Sequence, residues 1–327
     1  MKKYDVYGIG NALMDMEFSV SVELLQEMKI EKGIMTLMDE NQQQEIMTRL
    51  GNIPEKKSSG GSAANTMVAL SQLGGKAFYS CKVANDQTGD LYLKDLVDCG
   101  VEINKNQGEL SAGITGKCLV MVTPDADRTM GTFLGITGKL SEAELVPEAI
   151  KNSEYLYIEG YLVSSPTAIK AAITAREIAK KAGGKIAFSL SDLSMVEYFK
   201  PGILEIIGEG IDFIFANEIE ALKLAETEKI EVAVEHLKTL TSCFAITLGA
   251  KGSLIFDGTE IIEIPPVTVK AIDTVGAGDM YAGAFLYGIT HGMSYSAAGN
   301  LASQAAAKIV TSYGPRLATA ELKSLLN

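Results

Sequence analysis

Short runs of apolar, β-branched residues alternate along this chain with longer stretches whose apolar positions recur every three or four residues. The runs at 4–9, 77–82, 155–158, 185–189, 213–216, 244–247 and 253–256 have the length and composition of buried strands. The stretch 166–182 sets Ile169, Ala172, Ile173 and Ile178 on one helical face, and 218–224 and 232–240 carry the same period. Strand and helix in alternation predict an α/β fold, a central mainly parallel sheet with helices on both faces. Two segments break this rhythm. In 14–21 the alternation is strict, with Met14, Met16, Phe18 and Val20 facing one way and Asp15, Glu17, Ser19 and Ser21 the other. That is the period of a half-buried strand. Residues 117–123 and 128–133 flank a turn-like 124–127 and predict a β-hairpin. Together they predict a small β-layer beside the main sheet, a lid drawn from about 12–40 and 112–137. An extra antiparallel edge on the main sheet is the alternative.

Composition narrows the class of protein. Hydrophobic residues make up 47% of the 327 and charged residues 21%, which suits one domain over 1–327 with a real core. The net charge of -12 repels nucleic-acid phosphates and anionic membranes, so neither is an expected partner. It also repels ATP, so a nucleotide site on this chain needs a metal ion or local positive potential. Cys81, Cys99, Cys118 and Cys243 form no C-x-x-C pair, and with only His236 and His291 beside them no zinc spacing exists. Buried thiols are the reading for all four. Residues 1–10 hold no apolar signal segment and no run of 18 apolar residues occurs, so the expected location is the cytoplasm.

The most informative run is Asp273-Thr274-Val275-Gly276-Ala277-Gly278-Asp279. It leads directly into 281–292, where Ala282, Phe285, Leu286 and Ile289 lie on one helical face. A Gly-rich turn opening a helix presents free N–H groups and the positive end of the helix dipole, an anion site. A carboxylate in that first turn, Asp279, is placed to take a proton from a hydroxyl attacking phosphorus. The bland alternative is that it only complements the dipole.

Four weaker runs accompany it. Gly60-Gly61-Ser62-Ala63-Ala64-Asn65 opens a helix that stops at Gly74-Gly75, and reads as a helix cap or as a hydroxyl-binding turn. Gly8-Ile9-Gly10-Asn11 lacks the third glycine of a dinucleotide fingerprint, because Leu13 stands there, which weakens an NAD-dependent oxidoreductase. No P-loop exists. Asn217-Glu218-Ile219-Glu220 follows a strand and reads as a capping box, a water-mediated Mg²⁺ site, or both. Thr247-Leu248-Gly249-Ala250-Lys251-Gly252 reads as a tight turn that is also able to meet a nucleotide phosphate.

At 273–279 the chain resembles the PfkB (ribokinase-like) carbohydrate kinases, with their D-T-x-G-A-G-D signature. The run 60–65 is similar to that family's first signature, 217–220 to its N-x-x-E motif, and 247–252 to its T-x-G-x-x-G segment. The resemblance implies a Rossmann-like ribokinase fold with a β-sheet lid, and a kinase that moves the γ-phosphate of ATP, with Mg²⁺, to a primary hydroxyl. It implies Asp279 as catalytic base and the backbone of Gly276, Ala277 and Gly278 as anion hole. Asp15, Gly60, Gly61 and Asn65 would meet the acceptor, with Asn11, Arg128 and Glu159 as further candidates. Asn217, Thr247, Gly249, Gly252 and Asn300 would face ATP, and Glu220 would hold Mg²⁺ through water. Asp273 and Val275 would help bind K⁺. The run 125–130, with 157–161, looks like bacterial adenosine-kinase-like members, whereas an acid at Glu159 suits the free sugar of a ribokinase or fructokinase. The expected partner is a small nucleoside or sugar, and the expected assembly a monomer or a homodimer through the lid. A catalytically inactive nucleoside-binding protein and a vitamin kinase of the wider superfamily are the remaining alternatives.

Overall fold

The computed structural model describes residues 2–104, 112–125 and 127–326. Ala126, in the turn expected at 124–127, lies outside them. Nine strands form the main sheet among the described residues, in the order Ile261–Ile264, Ser253–Phe256, Thr241–Thr247, Ile211–Asn217, Lys185–Ser189, Ser153–Glu159, Tyr4–Ile9, Ala77–Ser80 and Glu102–Ile103. From Thr241–Thr247 to Glu102–Ile103 every neighbour is parallel. The two strands at the other edge are antiparallel.

The apolar runs persist in every central strand because both faces are covered. Tyr155, Tyr157, Phe213 and Phe215 enter one core, while Leu156, Ile158, Ile214 and Ala216 enter the other. Alternate side chains of one strand thus serve two helical layers, so these strands read as continuous hydrophobic runs. No helix among the described residues is long and apolar enough to cross a membrane.

The segments that broke the rhythm form a second sheet, as expected, and not an edge of the first. Its order is Met35–Leu37, Arg128–Phe133, Gly116–Val122, Leu13–Ser19, Lys56–Gly60. The hairpin pairs Val122 with Arg128 and Lys117 with Phe133. Met14, Met16 and Phe18 point into the core with Leu119, Met121, Leu25 and Ile46, the last two from the helices Val22–Glu27 and Glu40–Arg49. The opposite face, with Leu13 and Asp15, looks onto a cavity. Strand Lys56–Gly60 extends the sheet beyond the residues expected to build the lid. Its sequence, KKSSG, carries no hydrophobic period to announce it.

Strand Tyr4–Ile9 lies between Ala77–Ser80 and Ser153–Glu159. Strand order departs in opposite directions from this point. Such a reversal opens a crevice beyond the carboxyl ends of the strands, where open α/β sheets bind ligands. The second sheet roofs that crevice.

Candidate active site

Two helices bring the reacting groups together. Helix Ser62–Leu73 and helix Ala277–Thr290 cross closely at Gly283, where a Cβ would lie 2.6 Å from the Thr66 carbonyl oxygen. Only the missing side chain permits that approach. The crossing sets the two N-termini side by side. Ser62 Oγ donates to Asp279 Oδ1 at 2.6 Å and Asn65 Nδ2 donates to Oδ2 at 3.1 Å.

The turn before Asp279 has the form the sequence predicts. Gly276 is the N-cap with φ +76°, and a Cβ there would stand 2.7 Å from Pro315. An L side chain is excluded twice over, by conformation and by space. The amides of Gly278 and Asp279 lie in the first helical turn, and among the described residues nothing accepts from them. Ala277 N reaches the Thr274 carbonyl at a long 3.3 Å. These donors and the helix dipole make a fitting cradle for a phosphoryl group.

The cavity in front of them measures about 530 Å³ and includes Asn11, Asp15, Gly61, Asn65, Asn217, Glu220, Thr247 and Asp279 in its lining. Its roof is apolar, built from Leu13, Met35, Leu37, Met130 and Leu134. Gly61, with φ +97°, turns the chain into its helix against the Asn11 carbonyl, and Gly60 is pinned by Tyr92, whose hydroxyl donates to its carbonyl at 2.9 Å. Burial pushes the Asp15 carboxyl up to about 7, and neighbouring Asp279 adds to this while Arg316 and Arg128 oppose it. Burial also raises Asp279 above the ordinary carboxylate range, against its bonds from Ser62 and Asn65.

Glu220 and Asn217 do form the capping box. Glu220 N donates to Asn217 Oδ1 at 2.8 Å, and Glu220 accepts from Asn217 N at 2.9 Å. Burial pushes Glu220 up to about 7. No group of three metal-ligating side chains converges among the described residues. Glu220 lines the cavity as a single carboxylate, the kind of donor that would hold Mg²⁺ through the ion's own waters.

Several expected contacts are corrected. Glu159 is 1% exposed, and its oxygens accept from Asn11 N, Asn11 Nδ2 and Ala63 N. It braces strand to helix, caps a helix whose Gly61 cannot, and also lines the cavity. Arg128 does not open onto the cavity. Its guanidinium lies 2.7 Å from Asp273 Oδ2 and 3.5 Å from Glu17, with 8% of the side chain exposed. Asp273 accepts in addition from Val275 N and Gly314 N. A guanidinium and two amides thus already surround this carboxylate. Asn300 lies outside the cavity lining and donates to the Ser296 carbonyl of its own helix, while Gly249 and Gly252 form a turn outside that lining.

Ser62, Arg316 and Asp95 were not singled out in the sequence. Arg316 Nε donates to Asn65 Oδ1 at 2.9 Å, and its Nη1 to Asp95 at 2.7 Å.

A family model described as pfkB family carbohydrate kinase matches residues 37–321. The chain belongs to this family. It is accordingly a sugar or nucleoside kinase, a phosphotransferase with a hydroxyl acceptor. Among structures similar to this pfkB kinase is the adenosine kinase from Sinorhizobium meliloti, at TM-score 0.91 and 35% identity, covering 99% of this chain and 98% of that one. The 5-dehydro-2-deoxygluconokinase of Clostridium perfringens is 29% identical over 275 residues, 79% of each chain. The adenosine kinase of Saccharomyces cerevisiae is 25% identical over 329 residues, 94% of this chain and 95% of the relative.

Proposed function

We propose that this pfkB kinase phosphorylates the primary hydroxyl of a nucleoside, in the manner of an adenosine kinase, from ATP with Mg²⁺. The observation that carries the reading is the pairing of two surfaces in one cavity. At its floor Asp279, Ser62 and Asn65, joined by Asp15 from the roof sheet, offer hydroxyl-binding groups, and the roof residues Leu13, Met35, Leu37, Met130 and Leu134 suit a flat apolar ring. A free sugar, polar on every side, leaves that roof unused. The adenosine kinases among the similar proteins support the same reading.

In this mechanism Asp15 and Asn65 hold the acceptor with its hydroxyl on Asp279. Asp279 accepts the proton as the oxygen bonds to the transferring phosphorus and ADP departs. The amides of Gly278 and Asp279 stabilise charge on the phosphoryl oxygens. Mg²⁺, when bound through water at Glu220, supplies further charge neutralisation on the nucleotide. The roof excludes water and so protects ATP from hydrolysis.

A sugar kinase of the ribokinase or fructokinase type is the second reading, favoured by the 5-dehydro-2-deoxygluconokinase relatives. ADP release with Mg-ATP against adenosine, inosine, guanosine, ribose and fructose separates the two. Turnover on adenosine, lowered roughly 10²–10⁴-fold in Asp279→Asn, is expected. Turnover on ribose or fructose with none on a nucleoside would replace the first reading by the second. Near-normal turnover in Asp279→Asn would remove its role as base.

A further inference from the structure

Five carboxylates line the cavity: Asp15, Glu159, Asp192, Glu220 and Asp279. Among the described residues no lysine, arginine or histidine lines it. The nearby cations stand outside that lining. Arg128 lies against Asp273 and Glu17, and Arg316 against Asn65 and Asp95. Lys56 lines a separate small pocket behind Asp15, and its side chain belongs to an exposed residue. The free amides of Gly278 and Asp279 are positive elements within the lining itself, and they stand beside the base, where the transferring phosphoryl group must sit. At the far end, where the remainder of an acceptor would lie, the wall is the apolar roof.

From this distribution we infer that the cavity selects a neutral acceptor, and that it rejects sugar phosphates and sugar acids by charge. The inference rests on the kinase reading of the same cavity and deepens it. An anionic group at the roof would lose its hydration and find, beside the apolar side chains, only the Thr132 hydroxyl and Cys118 thiol and no cation among the described residues. One turned toward the base would meet Asp279, and Asp15 extends from the roof sheet into the same cavity. Like charges brought together in a recognition site exclude the wrong partner by several decades of affinity at most and about two at least. The exclusion is therefore built from carboxylates that the chemistry needs in any case, with the nearby cations outside the lining. Among pfkB kinases acting on anionic acceptors, the same position would require a basic side chain aimed into the cavity.

The test uses matched pairs that differ chiefly in charge: adenosine with adenosine 3′-monophosphate, fructose with fructose 6-phosphate, and glucitol with gluconate. Each is measured for kcat/KM with Mg-ATP and for direct binding by calorimetry without it. The neutral member of whichever pair is accepted should exceed its anionic partner by roughly 100-fold or more. Asp15→Asn weakens both members by losing a hydroxyl contact but should narrow their ratio, which separates charge from bulk. An anionic member that equals or exceeds its partner overturns the inference. So does a ratio unmoved in Asp15→Asn, and so does failure of every neutral member both to bind and to turn over. Turnover of fructose or glucitol without adenosine sinks the nucleoside reading alone and supports the neutral-acceptor inference.

Discussion

The orientation of Asp279 depends on an amide that has only one way to point. Arg316 Nε can donate but never accept, so the Asn65 oxygen must face it, and Asn65 Nδ2 is left facing Asp279. Asp95 holds the guanidinium from behind. Arg316 is thus a positioning residue for the base. Arg316→Met frees the Asn65 amide to turn its oxygen toward Asp279 and repel it. Turnover should fall roughly 10–100-fold, the scale on which small misplacements act, with a smaller effect on the acceptor KM. Arg316 and the Asn65 bond both hold the Asp279 carboxyl down against burial. Their loss should therefore move the acid limb of the kcat profile to higher pH. A folded variant whose limb stays in place would reduce Arg316 to a packing role. Asp279 and Asn65 were legible because each lies just inside a helix that a glycine turn opens. Arg316 was not, because it follows Pro315 in a loop with no periodicity, and its partners are 221 and 251 residues away.

At the scale of elements, the central strands could be read closely from the chain because burial on both faces writes them as uninterrupted apolar runs. The bounds of Tyr4–Ile9, Lys185–Ser189 and Ser253–Phe256 match those expected. Lys56–Gly60 escaped because its role is pairing and not packing. What the sequence hid most fully is the joint between hairpin and catalytic loop. Arg128 opens strand Arg128–Phe133 of the small sheet, and Asp273 opens the loop that leads through Gly276 into the helix of Asp279. Their ion pair ties roof to anion hole, at 8% and 2% side-chain exposure. Removing one partner of such a buried pair leaves an uncompensated charge and typically costs about 3–5 kcal/mol. Arg128→Met should destabilise the protein on that scale, and adding Asp273→Asn should recover much of the loss. Because the guanidinium already neutralises Asp273, wild-type turnover should be the same in K⁺ and in tetramethylammonium. Activation by K⁺ would show that Arg128 yields its place to the ion, and equal stability of the single and double variants would show that the pair ties nothing.

For the whole molecule, the charge of -12 is concentrated to unusual effect inside the crevice. Burial pushes Asp15, Glu159 and Glu220 each up to about 7, against ordinary values of 3.8 for Asp and 4.5 for Glu. Between those limits the folded chain binds more protons than the unfolded one, so stability falls as pH rises. The contribution of these groups is whole below the unfolded values and is lost as pH climbs through about 7. His236, lowered by burial, acts in the opposite sense near its ordinary 6.5, which makes a wild-type profile alone ambiguous. The difference between a variant and wild type isolates one carboxyl. Asp15→Asn should raise the Tm of the ligand-free protein at about pH 8, where the native acid is a buried charge, and the gain should shrink toward about pH 5, where it is protonated. The same variant should lose acceptor affinity, since the crevice trades stability for a carboxylate poised on a hydroxyl. A Tm gain that is flat across this range, or larger at the acid end, would mean that Asp15 is ionised and well solvated throughout, and that the roof does not close over the crevice before a ligand arrives.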